Sequence, residues 1–273
     1  MTSLVLAVPV IRPGIIDQCL DCAKKSAANA AEVSLLLFGN GLPDLRSVVA
    51  EESLSGWKDV RIETSQLNEG APYALQRMWE AASERPGAAS DDVILYIHDD
   101  AFLKGAGWDT TTSTFFETHP ECVLAGYSGA PGLGVDGLYS RSYDMMDLVR
   151  VGFVSNLPNA EAHGVRGHEP RRIVLTDGYS MALRRSFLDT LGGWKWWPYA
   201  DHNYEVGIGC EVARARKEAW YLPVETDHLS GWSALSAQGQ EMYNRHGGQI
   251  ALQERSARYL YDHYRDVLPL RVR

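Results

Sequence analysis

The chain has 273 residues, enough for one large α/β domain or two small ones, and a core of that size forms without disulfide or metal staples. Its hydrophobic fraction of 45% and charged fraction of 22% are those of a globular protein. A net charge of -9 argues against a broad non-specific nucleic-acid surface, though it leaves room for a local basic groove.

The opening MTSLVLAVPVI lacks a basic n-region and a small-residue cleavage site, and its apolar run breaks at Pro9, too short to cross a membrane. It reads as a buried strand over 3–10, and the chain as soluble and cytoplasmic. A helix is expected over 15–30, carrying Cys19 and Cys22. That CxxC spacing suggests redox chemistry or half a zinc site. No second such pair exists, however, and thiols sharing an apolar face with Leu20 and Ala23 read better as small core residues. Free thiols fit a reducing compartment.

EVSLLLFGNG (32–41) is a second buried strand, ended by the turn signal Gly39-Asn40-Gly41. A shorter strand spans 59–65. A helix over 70–84 follows, with Pro72 in its first turn and Leu75, Met78, Trp79 and Ala82 at helical spacing. Then DDVILYIHDD (91–100) runs a greasy strand straight into His98, Asp99 and Asp100. A helix near 109–117 and a strand over 122–129 come next.

The stretch 129–172 is Gly- and Pro-rich and irregular, the kind of long loop that is usually functional, and it carries Arg141, Arg150, Arg166, Arg171 and Arg172. GLGVDG (132–137) has the spacing of a dinucleotide fingerprint, but no helix begins inside it, so it reads as a glycine loop. Regular structure resumes as strand-turn-helix over 172–194 and as helix and strand over 205–224. An amphipathic helix spans 250–268, with Ala257, Leu260, Tyr261, Tyr264 and Leu268 on one face.

Continuous apolar strands alternating with helices imply a largely parallel sheet covered on both faces. Such sheets bind ligands at the carboxyl ends of their strands. Pro9–Arg12, Gly39–Gly41 and His98–Asp100 are therefore expected to share one crevice.

Carboxylates on a rigid strand end supply the hard oxygen ligands that a divalent cation on a diphosphate needs. They equally suit a turn-capping Asp pair. Downstream, ETDHLSGWS (225–233) sets Asp227 and His228 directly after another strand, and a His paired with Asp100 favours the metal reading. WKWWPYADHNYEVGIG (194–209) places Asp201 and Glu205 four apart, on one face of a helix starting there. Its Trp194, Trp196 and Trp197 have two readings: core packing, or a stacking wall for a sugar or base.

In order, SLVLAVPVIRPGIIDQCLDCAKKS, VRIETSQLNEGAPYALQRMWEAA, VILYIHDDAFL, TDGYSMALRRSFLDTLGGW, YADHNYEVGIG and the late His228 resemble the motifs of family 2 glycosyltransferases with the GT-A fold. The resemblance runs to about residue 235. It implies an α/β GT-A architecture, with a mostly parallel central sheet flanked by helices and a long acceptor-side loop. Residues 1–128 would form the nucleotide-sugar half and 129–235 the acceptor half, followed by a helical extension over 236–273.

The implied activity is metal-dependent, inverting transfer of a sugar from a nucleotide-diphosphate sugar, UDP-sugar favoured, with Mn²⁺ or Mg²⁺. The acceptor is a hydroxyl on a glycan, a small molecule or a modified DNA base. A non-catalytic nucleotide-sugar-binding module is the alternative of another class. On this resemblance Asp201 is the catalytic base, with Glu205 in reserve, and Asp100 and His228 are the metal ligands. Pro9, Val10, Arg12, Gly39, Asn40, Asn68, Gly70 and Asp99 are the donor-side residues, and Asp177, Gly178, Trp196, Trp197 and Trp232 the acceptor-side ones. The chain departs from the pattern in having Gly39-Asn40 where an acid usually pairs with uracil, His98 at the first position of the metal motif, and Ala200 before Asp201.

Overall fold

The computed structural model describes residues 2–134, 154–156, 161–163, 167–229 and 236–272. Trp232, Arg141, Arg150, Arg166 and residues 135–137 of GLGVDG lie outside the described residues.

The chain runs β1 (Leu4–Val10), α1 (Pro13–Ser26), β2 (Val33–Gly39), two short helices α2 (Leu45–Val48) and α3 (Glu51–Leu54), β3 (Asp59–Thr64), α4 (Ala71–Ser83) and β4 (Val93–Ile97). Next come β5 (Ala101–Leu103), α5 (Trp108–Thr118), β6 (Cys122–Gly126), β7 (Gly129–Ala130), β8 (Gly132–Leu133), β9 (Val154–Asn156) and β10 (Glu161–His163). The remainder is β11 (Arg171–Ile173), β12 (Leu175–Thr176), β13 (Ser180–Arg184), α6 (Arg185–Leu191), α7 (Tyr204–Arg214), β14 (Glu218–Tyr221), β15 (Thr226–His228), α8 (Ala237–Arg245), α9 (Gln249–His263) and β16 (Leu270–Arg271).

Eight strands form the central sheet in the order β11-β14-β6-β13-β4-β1-β2-β3. β1, β2, β3 and β4 are parallel, as are β6 and β14. Only β13 and β11 run against their neighbours. The side-chain period of two sorts the buried residues onto two faces. Leu4, Leu6 and Val8 face Ile16, Leu20, Trp108 and Phe116 of α1 and α5. Val5 and Ala7 face Met78, Leu188, Ile208 and Leu260 of the helices on the other side.

A smaller four-stranded sheet, β10-β9-β15-β5, hangs from the carboxyl end of β4. In it β15 pairs antiparallel with β5, setting Thr226 against Leu103 and His228 against Ala101. The CxxC thiols secure this region: Cys19 donates to the Ala101 carbonyl and Cys22 to the Leu103 carbonyl, each at 3.2 Å. All four cysteines are free, and burial pushes the Cys19 thiol well above its usual range, so it is inert.

The segment 236–273 packs into the main core. Leu260, Tyr264 and Leu270 are buried in the same cluster as the sheet, and β16 pairs with β8. Tyr264 donates to Glu211 Oε1 at 2.8 Å. The amphipathic face differs from expectation at two positions. Tyr261 is 41% exposed because the buried stripe runs through Ser256, Ala257, Leu260 and Tyr264, and Leu268 lies beyond the helix end at His263. Among the described residues no helix is long and apolar enough to cross a membrane.

Because this segment shares the core, Leu260→Ala should lower global stability by about 2–5 kcal/mol. In urea unfolding, followed by far-UV and Trp signals together, a single transition should move to lower denaturant. An early separate transition, with the main one unmoved, would contradict the shared core.

Candidate functional site

β4 is buried along its whole length and ends in a tight turn: the His98 N–H donates to the Tyr179 carbonyl at 3.0 Å and the Ala101 N–H to the His98 carbonyl at 3.1 Å. The apolar run that resumes at Ala101 is β5, so the three polar residues sit between two buried strands. Asp99 and Asp100 are each 2% exposed. Carboxylates so buried need partners.

Asp99 has them in protein. Its Oδ2 accepts the N–H groups of Ile11 and Arg12, both at 2.8 Å, and its Oδ1 faces Arg12 Nη2 at 3.3 Å. It fastens the end of β1 to the end of β4. Burial and the adjacent Asp100 carboxylate push it up to about 6, against the pull of Arg12 and the two N–H groups.

Asp100 is different. Its Oδ2 pairs with Arg12 Nη2. Its Oδ1 lies 3.3 Å from His228 Nε2 and 3.8 Å from His98 Nδ1, at ion-pair distance but outside hydrogen-bond geometry, and so is buried without a hydrogen bond. The two ring nitrogens are 3.4 Å apart. Burial disfavours the Asp100 charge, but His228, His98 and Arg12 together outweigh it and hold the carboxyl below the usual carboxylate range. Burial, then His228, pushes His98 down, keeping it in the neutral form that binds metals.

The ligating atoms of His98, Asp100 and His228 all lie within 4.8 Å of one another. One carboxylate oxygen without a hydrogen bond and two imidazole edges facing one point form a donor set that fits a divalent cation. Each ring is braced from behind: Tyr179 stacks on His228 at 4.7 Å, and the Tyr204 hydroxyl is 3.5 Å from His98 Nε2. Such outer partners fix ring orientation and tautomer. His228 arrives through the β15–β5 register, which sets it beside Ala101 and hence beside Asp100.

These groups open onto a cavity of about 280 Å³. Pro9, Ile11, Asn40, Asn68, Gly70 and Ala71 line one side, and Asp201, His202, Tyr204, Met242 and Tyr243 the other. Of the expected donor-side residues, Pro9, Asn40, Asn68, Gly70 and Asp99 reach its wall. Val10 is fully buried and Gly39 lies in the buried end of β2, while Arg12 stands behind the two carboxylates.

The Asn40 side chain is already committed, accepting the Glu69 N–H and donating to the Gly70 carbonyl, both at 3.0 Å. It therefore shapes the 68–70 turn. Gly70 has φ +92° and ψ 172°, and a Cβ there would lie 1.8 Å from the Ala200 carbonyl oxygen. The donor-side turn and the loop bearing Asp201 touch backbone to backbone.

The helix expected to carry Asp201 begins only at Tyr204, so Asp201 and Glu205 do not share a helical face. His202 and Asn203, with φ of 62° and 58°, break the helical path between them. Asp201 instead lies on a loop, where its Oδ2 accepts the Tyr243 hydroxyl of α8. Asp177 and Gly178 sit in the turn before β13, close to Tyr204 but off the cavity wall.

The tryptophans belong to the core. Trp197 is 4% exposed and Trp196 packs against the same cluster, because Gly207 of α7 leaves room for both rings. An aromatic wall in the main cavity is therefore not what these residues build. Trp197 edges a separate hollow of about 460 Å³ with Tyr73 and Tyr199. Tyr243, Met242 and His202 draw no functional reading from the sequence, whereas His98 is expected at the crevice but not among the metal ligands.

Solved structures share this architecture. One is of GalNAc-T7 with UDP, GalNAc and Mn²⁺: it aligns over 90% of this chain and 47% of its own, with a TM-score of 0.60 and 13% identity. The mannosyltransferase PcManGT from Pyrobaculum calidifontis, in complex with GDP-Man and Mn²⁺, aligns over 94% of this chain and 69% of its own, with a TM-score of 0.55 and 14% identity. The chain has the GT-A fold. S. aureus TarS (residues 1–349) matches over 98% of this chain and 72% of its own, with a TM-score of 0.53 and 9% identity. The present GT-A chain spans about half the length of the GalNAc-T7 chain. No family model matches it, and no curated protein matches it in sequence.

Within this GT-A frame the contact at Gly70 is the most exacting backbone requirement of the cavity wall. Gly70→Ala should cost roughly 2–4 kcal/mol, from a backbone region nearly closed to other residues and from overlap with Ala200. Gly14→Ala, where a Cβ meets nothing within 4 Å, should stay within about 1 kcal/mol of wild type. Equal stability of the two variants by urea unfolding would contradict the close approach.

Proposed function

We propose that the chain is a metal-dependent glycosyltransferase that moves a sugar from a nucleotide-diphosphate sugar to an acceptor hydroxyl, with inversion at the anomeric carbon and a UDP-sugar as preferred donor. The observation that carries this reading is the convergence of His98, Asp100 and His228 on one point at the wall of a cavity that also holds Asp201. The fold supports it, since GalNAc-T7 and PcManGT share it and were solved with UDP or GDP-Man and Mn²⁺.

His98, Asp100 and His228 would hold the cation, and two imidazoles among three ligands favour Mn²⁺ over Mg²⁺. When bound, the cation supplies Lewis-acid neutralisation of the diphosphate leaving group. Asn68, Gly70, Pro9 and Ile11 shape the donor side, with Asn40 and Asp99 fixing the backbone behind them. Asp201 accepts the proton of the acceptor hydroxyl as that oxygen attacks the anomeric carbon. Its Oδ2 is taken by Tyr243, which leaves Oδ1 for this task. Positioned general-base catalysis of this kind contributes on the order of 10²–10⁴-fold, and inversion needs only one carboxylate. Four free thiols fit a reducing, cytoplasmic setting.

The test is a panel of UDP-, GDP-, ADP- and dTDP-sugars with Mn²⁺ or EDTA, read as donor hydrolysis and as protection from thermal unfolding. One donor should raise the melting temperature in Mn²⁺, equivalent to about 2.7 kcal/mol at a hundredfold excess over Kd. EDTA should remove both signals, and Asp100→Ala should remove them while still unfolding cooperatively. Turnover untouched by EDTA and by Asp100→Ala would overturn the metal assignment. Donor protection with no turnover under any acceptor would favour a binding module.

A further inference from the structure

We infer that helix α8 belongs to the catalytic machinery, with Tyr243 as the positioning residue that holds Asp201 in place against a backbone that would not keep that shape alone. The inference rests on the reading of Asp201 as the base.

Two consecutive non-glycine residues in the left-handed region follow Asp201: His202 at φ 62° and Asn203 at φ 58°. L-residues avoid this region, and a run of them persists only when surrounding contacts over-determine it. Those contacts come from 236–273. The Tyr243 hydroxyl donates to Asp201 Oδ2, and the His202 ring stacks on the Tyr243 ring at 5.7 Å and 14°. The Asn203 side-chain amide donates to Ser256 Oγ of α9 at 2.9 Å, where Ser256 is fully buried. Each residue of the 201–203 loop is thus held by a group more than forty positions downstream.

The same helix reaches the donor side. Arg245 donates to the Asn68 carbonyl and pairs with Glu69 at 3.4 Å, on the turn whose Gly70 meets Ala200. α8 therefore spans from the donor wall to the base loop and sets the distance between them. Burial, then the Asp201 charge, pushes the Tyr243 phenol up, so it stays protonated and remains a donor to the carboxylate. That leaves Oδ1 as the oxygen for an acceptor in the cavity that Asp201 lines, where a misplaced base loses rate without losing donor affinity.

Tyr243→Phe keeps the ring and its stack and removes only the hydroxyl. Transfer kcat should fall about 10- to 100-fold, the range for a hydrogen bond to a charged group. The KM for donor should stay within about twofold, and donor-induced thermal protection should persist. Ser256→Ala, which frees Asn203, should lower kcat by roughly 3- to 10-fold with the same unchanged KM. Wild-type kcat in Tyr243→Phe overturns the inference, and so does a kcat loss matched by loss of donor protection, which would mark a merely structural role. If Tyr243→Phe shows no cooperative unfolding, Ser256→Ala decides alone, and wild-type kcat there overturns the inference. Asp201→Asn separates the two claims. If it transfers at the wild-type rate, the base reading falls and this inference with it. If it is inactive while Tyr243→Phe matches wild type, only the positioning role falls.

Discussion

Two carboxylates lie side by side where β4 ends, both almost completely shut off from water. A charge so placed is tolerated only when paired and hydrogen-bonded, and two adjacent like charges double the demand. The architecture around the cavity answers that demand. β1 ends by directing two N–H groups and the Arg12 guanidinium at Asp99 and Asp100. The β15–β5 register brings His228 up to the remaining Asp100 oxygen, and His98 closes the third side. The oxygen still lacking a hydrogen bond marks the place where the protein's own groups stop compensating. A divalent cation held there, as proposed, would give that oxygen the partner it lacks.

The second organising feature is the closure of the chain on itself. Residues 236–273 are anchored by Leu260, Tyr264 and Leu270 in the core of the sheet. From that anchor α8 contributes Met242 and Tyr243 to a cavity whose opposite wall is built from the first seventy residues or so. On the proposed reading, donor side, metal ligands and base come from separate stretches of chain that meet at this cavity. That reading links packing of the C-terminal helices to function of the cavity.

The strands β1, β2 and β4 were legible from their continuous apolar runs, and the polar end of β4, which by itself equally suits a turn cap, was legible as a candidate site once Asp227 and His228 followed a second strand. The resemblance carried His228 to the same place. What stayed hidden depends on tertiary contact. The role of His98 follows from a ring nitrogen aimed at Asp100, which neighbours in sequence do not specify. Asn40 looks free in the chain but is committed to the 68–70 turn. The tryptophans resolve as core only because Gly207, ten residues on from Trp197, makes space for them. Asp201 reads as helical by spacing, yet two left-handed residues delay the helix. Tyr243 carries no local signal at all, since its partner is 42 positions away.

The central claim is that His98, Asp100 and His228 together bind one cation at the cavity wall. Pulsed electron paramagnetic resonance of the Mn²⁺-loaded protein tests it most directly, because nitrogen modulation counts the imidazoles bound to the metal. Two histidine nitrogens are expected in the wild type and one in His98→Ala. No histidine nitrogen in the wild type, or a signal unchanged by losing His98, would contradict the account.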